Sequence, residues 1–99
     1  VIVLAGSIRL PPENLAAARP VMQKMIEASR AEVGCVAYGF SEDILEPGLI
    51  RVFEVFRDAE SQQLHSKSTH MAEWRATWPA LGIGERRITR YEAVSAIET

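Results

Sequence analysis

An α+β fold in the order strand, helix, strand, strand, helix, strand is predicted by three observations. The first ten residues are rich in β-branched side chains and stop at Pro11-Pro12. Two stretches with helical apolar spacing lie at Glu13–Glu32 and from Ser68 onward. Strand-like segments separate and follow them, two of these joined by Glu46-Pro47-Gly48-Leu49.

In Val1–Leu10 the even positions Ile2, Leu4, Ile8 and Leu10 are large and apolar, whereas Val3, Ala5, Ser7 and Arg9 are smaller or more polar. That alternation builds a strand. From Glu13 to Glu32, Leu15, Ala18, Met22, Met25, Ile26 and Ser29 recur at three- and four-residue spacing, the period of an amphipathic helix. Pro20 removes one backbone hydrogen bond inside that run, so a kink or a broken first turn is expected. Gly34 is the expected C-terminal stop.

Cys35–Leu45 reads as a strand and Leu49–Phe56 as a stronger one. Pro and Gly at the second and third positions of Glu46–Leu49 suit a type II turn, which makes the pair a hairpin. Asp58 is placed to N-cap a short helix through Leu64. Ser68 or Thr69 caps the next, along which Met71, Trp74, Trp78 and Leu81 form an apolar stripe. Pro79 is expected to loosen its end. Arg86–Ala96 alternates as the last strand. This order is that of the ferredoxin-like βαββαβ unit, an antiparallel sheet with its helices on one face. Leu49–Phe56 carries Ile50, Val52 and Phe56 on one side but Leu49, Phe53 and Val55 on the other. Helices cover one side only, so a second copy of the chain is the expected cover for the other.

Ninety-nine residues are expected to form a single domain over 1–99. A net charge of −2 offers no electrostatic reason to bind nucleic acid or an anionic membrane. Cys35 is the only cysteine, which excludes an internal disulfide and a cysteine-based zinc site and fits a reducing compartment. No apolar run approaches the ~20 residues that span a bilayer. Val1–Leu10 lacks the basic leader and longer apolar core of a signal peptide, so a soluble cytoplasmic protein is expected. The chain starts without Met, and a short preceding piece is expected.

Leu64–Trp74 holds both histidines. A two-histidine metal site on a helix usually spaces its ligands four residues apart, but His65 and His70 are five apart. On a continuous helix that turns the second about 140° from the first; a break at Ser68 changes that angle but leaves too few further ligands, and no metal site is expected. His65, near the end of a short helix, is instead a candidate base, since an imidazole with a pKa near ~6.5 accepts a proton at neutral pH. The plainer reading is a histidine that caps carbonyls or faces water. Glu54 lies mid-strand among apolar neighbours, where a carboxylate is costly unless paired or hydrated. An ion pair with Arg51, Arg86, Arg87 or Arg90 is the expected arrangement, with a catalytic role as the alternative. Tyr38 can donate to a substrate oxygen or simply fill a half-buried strand position. Trp74 and Trp78 read as packing, with one ring available to wall a pocket, and Cys35 as core.

Three runs, Glu32-Val33-Gly34-Cys35-Val36-Ala37-Tyr38, Val52-Phe53-Glu54-Val55-Phe56 and His65-Ser66-Lys67-Ser68-Thr69-His70-Met71, together resemble the antibiotic biosynthesis monooxygenase family in order and rough spacing. The resemblance implies a dimeric α+β barrel with a pocket between sheet and helices in each subunit. It implies a monooxygenase that uses neither metal nor flavin on a quinol-like or phenolic molecule and O2. His65 would be its base, Tyr38 a donor, and Glu54 a group that orients the pocket. Trp74, His70 and Phe56 would contact substrate. An isomerase or lyase using proton transfer without O2, and a non-catalytic binding or stress-response dimer, are the alternatives. The first strand lacks the family's frequent asparagine, Phe56 replaces its usual tryptophan, and Arg75 falls where haem-degrading members carry the iron ligand. A haem oxygenase is therefore disfavoured.

Overall fold

The alternating segments become four strands of one antiparallel sheet in the computed structural model, which describes residues Val1–Thr99. Strands β1 (Ile2–Arg9) and β3 (Leu49–Phe56) lie at the centre, with β2 (Cys35–Glu42) beside β3 and β4 (Gly84–Glu92) beside β1. Three helices join them: α1 (Leu15–Arg30), α2 (Ala59–Ser66) and α3 (Thr69–Leu81). This is the expected ferredoxin-like α+β fold.

The even side chains of β1 and β3 do what their pattern predicts. Ile2, Leu4, Ile8, Ile50, Val52 and Phe56 join Ala18, Met22 and Met25 of α1 and Trp74 and Leu81 of α3 in one buried cluster. Each Val, Leu, Ile, Met or Phe side chain among them contributes roughly 1.5–3 kcal/mol when withdrawn from water. Register places Tyr38 and Leu4 on either side of Glu54 across the sheet, so a carboxylate shares the helix-covered face with the core. The opposite face carries rows of Ala37, Val55, Val3 and Tyr91, then Gly39, Phe53, Ala5 and Thr89. On it Phe53 is 52% exposed and Tyr91 53%.

Several boundaries differ from expectation for local reasons. The first helix opens as a 3-10 turn over Pro12–Asn14 and becomes α-helical only at Leu15. It then runs unbroken through Pro20, which sits on its exposed side. It ends at Arg30, four residues before Gly34. Gly34 serves another purpose: a Cβ there would fall 2.0 Å from Ser61 Oγ, so the missing side chain lets the loop lie against α2. Strand β2 stops at Glu42 because Asp43 Oδ2 accepts from the Leu45 and Glu46 amides at 3.1 and 3.0 Å, bending the chain away. The hairpin turn closes through Leu49 N–H to the Glu46 carbonyl at 3.1 Å, with Gly48 at the positive φ of 86° that a type II turn requires. Strand β4 ends at Glu92, which pairs with Ile2, and one further backbone contact follows it, Ala93 N–H to the Val1 carbonyl at 2.9 Å.

Both short caps form as expected. Asp58 accepts from the Ser61 amide at 2.8 Å and Ser68 Oγ from the Met71 amide at 3.2 Å. Helix α3 passes through Pro79 and ends at left-handed Gly82, where Ile83 N–H reaches the Trp78 carbonyl at 3.0 Å.

Candidate active site

The two histidines converge because the helix breaks between them. Ser68 Oγ donates to the His65 carbonyl at 2.7 Å while capping α3, which turns the chain sharply at Lys67-Ser68. The 140° separation holds only for an unbroken helix and does not apply. The two imidazole rings stand 5.8 Å apart and face one oxygen. Glu32 Oε2 lies 2.8 Å from His65 Nδ1 and 2.5 Å from His70 Nε2. Glu32 belongs to the loop after α1, held against α2 by the contact at Gly34. Nothing about Glu32 marks it locally; its one signal is that it opens the run Glu32–Tyr38.

His65 is 3% exposed and its other nitrogen, Nε2, faces Glu54 Oε1 at 3.6 Å. Glu54 is itself 6% exposed. The expected arginine pair does not form. Arg51 points to the opposite face and pairs with Asp43, Arg90 pairs with Glu92, and Arg86 acts on Glu54 only at a distance. Burial pushes the Glu54 carboxyl up to about 7, Glu32 adds to the rise, and Arg86 opposes it. Burial also holds His65 below its ordinary value, against the hydrogen bond and charge of Glu32. A neutral His65 that donates from Nδ1 to Glu32 keeps its Nε2 lone pair turned toward Glu54.

Between sheet and helices lies a cavity of about 20 Å³, walled by Tyr38, Phe40 and Val52 below and by Met71, Trp74 and Trp78 above. Glu54 is its only carboxylate and Arg86 lies at its edge strand. Trp78 lines it too, and the buried Trp78 Nε1 has no hydrogen-bond partner. A hollow of about 260 Å³ opens between α1 and α3, bordered by Met25, His70 and Glu73, and Trp74 separates it from the inner cavity.

Of the six candidate residues, Tyr38, Glu54 and Trp74 therefore line the inner cavity. His65 and Phe56 lie behind it, their rings 5.0 Å apart, and His70 faces the outer hollow. Burial raises the Tyr38 hydroxyl strongly, the Glu54 charge adds to the rise, and a hydrogen-bonding contact with Ser29 opposes it, so the hydroxyl stays protonated. The sequence offers no role for Glu32, and for Trp78 only packing or one wall of a pocket.

The profile described as antibiotic biosynthesis monooxygenase matches residues 1–77. An uncharacterised protein of Synechocystis is 34% identical over 80 residues, covering 81% of this chain and 54% of that protein. The chain thus spans about half the length of that curated relative. A crystal structure from Deinococcus radiodurans, named as a candidate antibiotic biosynthesis monooxygenase, superposes with a TM-score of 0.91 at 25% identity, over 100% of this chain and 98% of that one. One from Caulobacter crescentus with the same kind of name gives 0.88 at 19% identity, over 95% and 90% of the two chains, a likeness of fold alone.

Proposed function

This chain belongs to the antibiotic biosynthesis monooxygenase family, and from that premise we propose that it oxidises a small phenol or quinol with O2. Glu54 would be the proton acceptor that starts the reaction. The observation that carries the reading is one buried carboxyl, Glu54, facing an otherwise largely apolar cavity with an imidazole directly behind it.

Triplet oxygen reacts slowly with closed-shell phenols, whereas a phenolate gives up one electron far more readily. Ionised Glu54 takes the phenolic proton and, with its raised affinity, keeps it, its carboxyl turned toward the His65 Nε2 lone pair while Glu32 fixes the imidazole from Nδ1. One electron passes to O2 and the two radicals join at a ring carbon that still bears hydrogen. The peroxide takes up a proton. Loss of the carbon-bound hydrogen as a proton then cleaves the O–O bond, leaving a carbonyl on the ring and one water. Phenol plus O2 becomes quinone plus water. The unpartnered Trp78 N–H and the protonated Tyr38 hydroxyl are donors within the same aromatic shell, and exclusion of water strengthens both.

His65 thus acts second, not first, because Glu54 stands between it and the cavity. Substrate would be admitted when Trp74 swings from the wall it shares with the outer hollow. The exposed apolar face around Phe53 and Val55 supports a homodimer closed sheet to sheet. Oxygen uptake with simple hydroquinones tests the reading: turnover by the wild type and its loss in Glu54→Gln are expected. Oxygen consumption unaltered in Glu54→Gln would falsify it.

The carboxyl–imidazole–carboxylate chain also favours a second reading, an isomerase or lyase that moves a proton without O2. Turnover that persists under argon selects it.

A further inference from the structure

We propose that Glu32, His65 and His70 form a binding site for a divalent transition-metal ion of the zinc or cobalt class. The inference goes beyond the oxygenase reading and needs nothing from it.

Two imidazoles and one carboxylate are a donor set suited to first-row divalent ions. Here three separate elements bring them together: the loop after α1, the last turn of α2 and the first turn of α3. The three donor atoms lie within 4.8 Å of one another. An ion held about 2.1 Å from each in tetrahedral geometry needs them about 3.4 Å apart, so small rotations of the side chains open the existing contacts enough. The Glu32 and His70 side chains are 19% and 22% exposed, which leaves an entry path and room for water to complete the coordination.

A second observation points the same way. Histidines that bind metal usually turn their other ring nitrogen to a carboxylate or carbonyl, which fixes the tautomer and strengthens the ligand. His65 approaches that arrangement: Nδ1 faces the proposed ion, and Nε2 is turned toward Glu54 at 3.6 Å, just beyond hydrogen-bond distance. When the ion takes the Nδ1 lone pair, the ring proton moves to Nε2 and points at Glu54.

The test uses the whole chain stripped with a chelator and then titrated with Zn2+ by calorimetry and with Co2+ by visible absorption. One equivalent per chain is expected, with a cobalt spectrum showing nitrogen coordination and a rise in Tm on adding Zn2+. His70→Ala and Glu32→Gln, at half-buried positions, are expected to keep the circular dichroism of the wild type and lose stoichiometric binding. Glu54→Gln is expected to weaken binding about 10–100-fold. Cys35→Ser is expected to bind as the wild type does, which separates this site from thiol binding. No saturable binding at micromolar Zn2+, or equal binding by both ligand variants, overturns the proposal. Because the readout is binding, failure here leaves the oxygenase reading standing, and failure of turnover leaves this one.

Discussion

Glu54 is withdrawn from solvent, and each arginine that its sequence surroundings offer as a partner is engaged elsewhere or too distant to pair. Two expectations follow for this side chain. Its carboxyl is raised from 4.5 to about 7, so the folded state holds the proton more tightly than the unfolded chain. The resulting stabilisation is complete below pH 4.5 and is lost as pH rises through about 7, a change on the order of 3 kcal/mol. Glu54→Gln cannot ionise, so with chelator present its Tm should gain on that of the wild type between pH 5 and pH 8. Turnover should run the other way. The rate should rise through pH 7 as the acceptor ionises, and Glu54→Gln should lose it by about 10²–10⁴-fold. His65→Asn should lower the rate less than Glu54→Gln, since His65 acts one step behind. Glu54 was legible in the sequence as an oddity because a carboxylate among Val52, Phe53, Val55 and Phe56 is costly wherever the strand lies. What it would face was not legible, because that depends on residues of α3 and β4.

At the scale of elements, the α2–α3 junction sets the geometry of the site. The Ser68 hydroxyl closes one hydrogen bond to each helix. Ser68→Ala should cost about 1 kcal/mol in urea unfolding, the usual loss for an N-cap serine, and should weaken the His70–Glu32 contact, visible as a shift of the His70 ring signals in NMR. Gly34 holds the other side. A methyl group there meets Ser61 Oγ at 2.0 Å, so Gly34→Ala should cost about 1–3 kcal/mol and move Glu32 away from both histidines. The helices, strands and caps could be read in advance because alternation, helical spacing and Asp or Ser before a helix are local signals. The meeting of Glu32 with His65 and His70 could not, since 33 and 38 residues separate the partners. The third group facing the histidines was illegible for the same reason, although the break at Ser68 that turns His70 toward His65 is a local capping signal.

Across the whole molecule the sheet has one face under helices and one bare, with Phe53 and Tyr91 about half exposed upon it. Phe53→Asp should leave the helix-covered core intact and shift the chain toward a monomer in sedimentation velocity. A monomeric wild type at micromolar concentration would end the dimer proposal. Periodicity alone determined the element order, the helix-facing residues and the apolar character of the second face, since each depends on spacing within a few residues. Only the tertiary structure decided that Glu54 stands at the cavity with His65 behind it, and that Glu32 ties the two histidines together. Those relations come from strand register, a helix break and a loop laid against α2, and such long-range geometry leaves no periodic mark on the chain.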